Sequence, residues 1–185
     1  MATIVYELRG TFGKRVVGIV GGKLANKKLD ETLDGLARID RRRGTVSQIF
    51  DASRIAGKNH LLQAARLSLI AEATGQKFAS SLNIELACWA AAERQIVRAL
   101  GKVGVRKGTD ELAILILGKT RLAVKKSIED FVRELLVKRD DNVIELTPEK
   151  IPTLLKIFSI PKSELEISDI QKLVLERIAL LCLQR

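Results

Sequence analysis

The C-terminal stretch Ser168–Gln184, Ser-Asp-Ile-Gln-Lys-Leu-Val-Leu-Glu-Arg-Ile-Ala-Leu-Leu-Cys-Leu-Gln, limits the fold more than any other segment of the chain. It reads as a helix, with Ser168 as N-cap and Gln171 completing a capping box. On a helical wheel Ile170, Val174, Leu175, Ile178 and Leu181 form one broad apolar face, and Leu173 and Leu180 are read outside it, on the side of Arg177. A helix packed on one side needs a single apolar stripe. One that is apolar nearly all round is enclosed by its domain or shared with a partner. The main stripe reads as core, and Leu173, Arg177 and Leu180 read as a partner-binding flank.

The rest of the composition agrees with a folded interaction module. The 185 residues, 46% hydrophobic and 29% charged, suit a single domain over 1–185 with a sizeable core. The longest clean apolar runs, Leu112–Leu117 and Ile178–Leu183, fall far short of the ~20 residues that span a bilayer, so no membrane partner is expected. The opening Met-Ala-Thr-Ile-Val-Tyr-Glu lacks the basic start and apolar centre of a signal peptide. Cys88 and Cys182 each sit within a helical apolar pattern and read as buried thiols in a reducing, cytoplasmic compartment.

A net charge of +10 favours a polyanionic partner. Lys14, Arg15, Lys23, Lys27, Lys28, Arg38 and Arg41–Arg43 load the first quarter of the chain, as a solvated surface or as part of such a contact.

Along the chain, residues 3–9 and 15–20 read as a β-hairpin ended by Gly21-Gly22, and 27–41 as a helix stopped by Gly44. Val46 to Phe50 is a short strand. Helices follow at about 57–73 and 83–101, then a central strand from Glu111 to Leu117 and a helix over 121–138. Val143 to Leu146 reads as a strand, Thr147-Pro148-Glu149 as a helix start, and Pro161 as the break before the last helix. The expected class is α+β: a small, mostly antiparallel sheet packed with several helices and a C-terminal amphipathic helix.

Catalytic signatures are sparse. One histidine, His60, offers no His-based metal cluster, and no cofactor motif is complete. Gly118-Lys119-Thr120 follows a strand, but Ala113 stands where a phosphate loop needs its first glycine. Two regions carry other possibilities. Lys58 and Asn59 open a helix whose free N–H groups favour an anion, with Arg54 positioned for a phosphate and His60 for hydrogen bonding or stacking on a base. Capping by Asn59 or Asp51 and simple packing of His60 explain the same residues. In the 83–101 helix, Ala87, Ala91, Arg94 and Arg98 share a face, either an anion-binding rim over a small-residue floor or a solvated flank beside Glu85.

The combination of Lys58-Asn-His60-Leu-Leu, Glu85, Arg94-Gln95-Ile96 with Gly104, Glu164-Leu-Glu166 and Leu173-Val-Leu-Glu-Arg-Ile-Ala-Leu-Leu181 resembles the PRPK-binding protein family, the small kinase-binding subunit of the KEOPS (EKC) complex. The resemblance spans about residues 45–183. The final Val-Leu-Glu-Arg-Ile-Ala-Leu-Leu is its most specific part, and the basic helix at 23–43 matches least. It implies a subunit with no catalysis of its own in the machinery that installs threonylcarbamoyladenosine on ANN-decoding tRNAs. Such a subunit binds the atypical PRPK-type kinase/ATPase, meets the other KEOPS subunits indirectly, and helps recruit tRNA through its 3′ CCA end. The tRNA-binding residues expected on this basis are Arg54, Lys58, His60, Arg94, Gln95 and Arg98. With aromatics at only 4%, stacking would fall to His60, an arginine or one of few exposed rings. Two other readings stand beside this one: a stand-alone RNA-binding protein, whose last helix is core or a homodimer seam, and a small enzyme acting on an anionic substrate.

Overall fold

A computed structural model of the chain describes residues 5–24 and 29–183. Residues 3–4, Lys27, Lys28 and Gln184, which the sequence places in the first strand, the basic first quarter and the last helix, lie outside the described residues. The elements run β1 (Val5–Gly10), β2 (Gly13–Leu24), α1 (Leu29–Arg43), β3 (Val46–Asp51), α2 (Lys58–Thr74), α3 (Leu82–Ala90), α4 (Ile96–Val103), β4 (Glu111–Gly118), α5 (Arg121–Glu134), β5 (Leu136–Arg139), α6 (Ile151–Ile157) and α7 (Ile170–Leu180), with short 3₁₀ turns between.

The sheet is antiparallel at every pairing, in the order β1-β2-β4-β3, with β5 on β2 beyond the end of β1. β4 lies inside it and is buried on both faces, which is why Leu112–Leu117 reads as an unbroken apolar run. Alternation then divides the core. Val16, Val20, Ile49, Leu112, Ile114 and Ile116 meet α1 and α5 on one face. Val17, Ile19, Phe50, Ala113, Leu115 and Leu117 meet the layer of α2, α3, α4, α6 and α7 on the other. The expected α+β class is the observed one.

The glycines of β2 do not end it, as the sequence suggests; they let neighbours close in. A Cβ at Gly18 would stand 2.7 Å from both Val124 and Ile128 of α5, and one at Gly22 would stand 2.5 Å from the Lys138 carbonyl of β5. The helix expected over 121–138 stops at Glu134 because Leu136–Arg139 pairs with Gly22–Leu24. The strand expected at 143–146 is instead a 3₁₀ turn, Asp141–Ile144, capped by the Asp140 carboxylate on the Asn142 N–H.

The expected 83–101 helix is two helices. α3 closes in a Schellman motif, in which the Glu93 N–H donates to the Cys88 carbonyl and the Ala92 N–H to that of Trp89. Ala92 takes the left-handed position, φ +48°, that glycine usually holds. The shared face of Ala87, Ala91, Arg94 and Arg98 therefore does not form. Ala87 and Ala91 are fully buried, and the two arginines are exposed on the turn and on α4.

α1 is clamped to α5 by charge. Asp130, nearly buried, accepts from Arg42 at 2.8 Å, Arg43 at 2.6 Å and Arg133 at 2.5 Å. The Arg43 hydrogen bond leads in holding its carboxyl down at about 2. Two members of the Arg41–Arg43 run thus serve the fold.

Candidate functional site

α7 begins one residue later than the sequence suggests. Asp169 is the N-cap, accepting the Lys172 N–H at 2.9 Å, and Gln171 is freed from any capping box. The Gln171 amide instead donates 2.8 Å to the Ala56 carbonyl and fastens α7 to the approach of α2. Gly57, at φ +88°, leaves no room there for a Cβ, which would stand 2.6 Å from that amide.

The two flanks of α7 are distributed differently from the wheel read in the sequence. At ~100° per residue Leu173 stands about 60° from Ile170 and Leu175 about 140°. Leu173 is accordingly buried at 5% exposure, within the core, while Leu175 is half-buried. Leu180 is exposed at 39% and Leu183 at 73%. Arg177 donates to both oxygens of Glu164 at 2.7 Å. Leu180 and Arg177 border a cleft of about 300 Å³ with Ala92, Glu93, Lys102, Phe158 and Ser159. Ser159 repeats the Ala92 device: it sits at φ +52° and closes α6 in a second Schellman motif.

Of the residues read as RNA-binding, two are committed to the interior. Arg54 donates from Nη1 to the Gly101 and Lys102 carbonyls at 2.8 and 2.7 Å, holding the end of α4. His60 is fully buried: the Ala56 N–H donates to Nδ1 at 3.0 Å, so Nε2 carries the proton and donates 2.7 Å to the Ala90 carbonyl. Its ring meets Phe158 edge-on, and burial pushes its pKa down to about 4. A neutral, doubly bonded ring stacks on no base without unmaking this site.

The others are outward. Lys58, in the first turn of α2, pairs with Glu145 at 2.8 Å, which raises its pKa. Gln95 is the N-cap of α4, its N–H held 3.2 Å from Glu93 Oε1. Arg98 lies one turn on, and Ile96 and Val97 between them are exposed at 40% and 85%. The Arg94 guanidinium lies 5.0 Å from the centre of the Phe78 ring. Phe78 leans on Trp89 at 5.3 Å between centres.

Those rings open a groove of about 510 Å³ that the sequence did not announce. Leu67, Ile70 and Ala71 of α2 make its wall, and Lys77, Arg94 and Cys182 are among its borders. Cys182 is exposed rather than buried as expected, because the 3₁₀ turn Leu181–Leu183 after α7 swings it outward. The groove rests on Glu85, a fully buried carboxylate that accepts the Phe78 and Ala79 N–H groups and the Trp89 indole N–H, each at 2.8 Å. Glu85 four residues before Trp89, the one charged residue of a mostly apolar helix, was the available signal.

Among the described residues, no group of three or more His, Cys, Asp or Glu side chains is arranged to hold a metal ion. No helix among them is long and apolar enough to cross a membrane. Residues 26–181 match the family described as kinase binding protein CGI-121. The chain matches no curated protein.

Proposed function

The chain belongs to the CGI-121 family of kinase-binding proteins, the non-catalytic kinase-binding subunit of KEOPS, and we propose that it docks a PRPK-type kinase/ATPase through the outer flank of α7 and helps deliver tRNA for threonylcarbamoyladenosine modification. The family match over residues 26–181 carries this reading, because it covers α7 and both of its flanks. Leu180 offers the exposed apolar contact beside Arg177, whose guanidinium is already oriented by Glu164. Leu173 contributes from beneath, by seating the helix on the core.

The tRNA part of the proposal rests on the α3–α4 turn. Arg94 lies over the Phe78 ring of the Phe78–Trp89 pair, so positive charge stands beside an aromatic face, the combination that holds unstacked nucleotides such as a 3′ CCA end, and Gln95 and Arg98 follow it, exposed, at the start of α4. Lys58 belongs to the other end of α2 and would act as a separate phosphate contact. Arg54 and His60 keep these surfaces in place. The setting we propose is the cytoplasm, with the remaining KEOPS subunits reached through the kinase.

The test is binding of tRNA with and without its CCA end to the parent protein and to Arg94→Ala. The expected result is a preference for the intact end that the substitution removes. Equal affinity of the parent for both RNAs overturns the CCA assignment. A stand-alone RNA-binding role predicts instead that no kinase binds the purified chain.

A further inference from the structure

A second concentration of charge lies away from α7 and the α3–α4 turn, where the β1–β2 hairpin tip meets the start of α5. The register pairs Glu7 with Val16 and Arg9 with Lys14, and Val16 in turn with Gly118, so the hairpin tip and the β4–α5 connection are neighbours. Arg9 Nη2 and Lys14 Nζ each lie 2.8 Å from the Glu7 carboxylate, and Arg121 Nη2 lies 4.0 Å from it. Lys119 and Lys125, both exposed, flank Arg121 along the chain. Three cations thus converge around one carboxylate, and two more stand exposed beside Arg121 in the chain.

Pairing with Glu7 accounts for part of this arrangement and leaves an excess of positive charge. The positive end of the α5 dipole points into the same region, and the first turn of α5 carries no acid, whereas the first turn of α1 carries Asp30 and Glu31. Like charges gathered at a helix start repel one another and the dipole. The arginine and lysine side chains around Glu7 remain 53–75% exposed while Glu7 itself is 21% exposed. The cations face solvent and the acid lies beneath them. Arg9 and Lys14 also lie outside the residues that match the family, 26–181.

We propose that Arg9, Lys14, Lys119, Arg121 and Lys125 form a docking surface for the phosphate backbone of RNA, independent of any single-stranded end. The chemistry selects this partner. A phosphate backbone asks only for cations and gains by releasing counterions. A protein partner would need a buried apolar or aromatic anchor, and stable seating on a membrane needs an apolar or lipid anchor in addition to surface cations. Among the described residues, Leu122, 63% exposed, is the single large apolar side chain standing out beside Arg121, too little for either. The inference rests on the reading that this subunit handles RNA, and it places a sequence-blind contact at the opposite side of the sheet from α7.

The experiment titrates a blunt RNA duplex, tRNA with and without CCA, and phosphatidylserine vesicles against the full chain over a series of salt concentrations. The variants are Lys14→Glu with Arg121→Glu, Lys119→Glu with Lys125→Glu, and Arg94→Ala. The second pair keeps the test open if the first disturbs the hairpin around Glu7. Each folded charge-reversal pair should weaken duplex binding by about tenfold or more and make the log–log salt slope shallower by about two. Arg94→Ala serves to read the CCA preference separately from duplex binding. Duplex affinity equal to the parent in both folded pairs overturns the surface, even where Arg94→Ala removes the CCA preference and the tRNA-end reading survives. Loss of vesicle binding without loss of RNA binding overturns it in favour of a membrane. Loss of duplex binding with no CCA preference in the parent retains the surface and removes the tRNA-end reading.

Discussion

His60 Nε2 donates to the carbonyl of Ala90 at 2.7 Å, taking the acceptor that the N–H of residue 94 would claim if α3 continued. The bond helps end α3, and the chain then turns through Ala92 and presents Arg94 and Gln95 outward. The same ring accepts the Ala56 N–H, and the Ala56 carbonyl accepts from Gln171. One buried histidine thereby ties the α3–α4 turn to the seat of α7, so the two surfaces proposed for RNA and for the kinase share a foundation.

This histidine sets a pH dependence. Its folded pKa is held near 4 by burial, below the usual ~6.5 of the unfolded chain, so the unfolded state binds the extra proton first. The contribution of His60 is full above about pH 6.5 and is lost as pH falls toward 4. Urea midpoints should decline across that window in the parent and decline less in His60→Gln. NMR titration showing His60 protonated at pH 6 in the folded protein would contradict the buried, neutral assignment.

A second acid-sensitive element acts lower down. Asp130, held at about 2 chiefly by Arg43, has its pKa depressed from an ordinary 3.8. Its contribution to the α1–α5 contact is present above about pH 4 and disappears as pH falls toward 2. Asp130→Asn should flatten the stability profile between pH 4 and 2 while leaving the His60 window intact. An unchanged profile there would mean that the arginine cluster does not hold the two helices.

Glu85→Ala should be among the most damaging single changes in the molecule. It strands three donors, the Phe78 and Ala79 N–H groups and the Trp89 indole, in the interior. Each costs roughly 1–3 kcal/mol, so a total of at least ~3 kcal/mol is expected by chemical denaturation. Trp89 fluorescence should report the loss of the groove wall. A cost below ~1 kcal/mol would show that the carboxylate is not the support described.

Leu173 and Leu180, alike in the sequence, should separate cleanly. Leu173→Ala removes buried side-chain volume and should cost about 2–5 kcal/mol. Leu180→Ala, on a side chain 39% exposed, should cost less than ~1 kcal/mol. Equal losses in thermal or urea denaturation would contradict the placement of α7.

Elements whose signal is local periodicity were legible in the sequence: the hairpin, the unbroken apolar run of β4, and α2 with Gly75 as its left-handed stop. Elements that depend on a distant neighbour were not. α5 stops where β5 finds Gly22, and nothing between Leu136 and Arg139 announces it. The break after α3 uses Ala92, so the glycine that marks most such stops is missing. Lys58, Arg94, Gln95 and Arg98 lie at the surface as read, because charge, or in Gln95 a polar amide, forecasts exposure. His60 and Arg54 turn inward because backbone carbonyls from α3 and α4 meet them, and no local pattern encodes that meeting. The Phe78–Trp89 groove depends on Glu85 reaching back to a loop, a tertiary contact visible only in the fold.

The proposed kinase contact on the outer flank of α7 is tested by the affinity of a purified PRPK-type kinase for the parent protein and for Leu180→Glu, each with its melting temperature recorded. A rise in Kd of about tenfold or more with an unchanged melting temperature is the predicted result. Undiminished affinity in a folded Leu180→Glu protein would contradict the claim and move the kinase contact elsewhere on the surface.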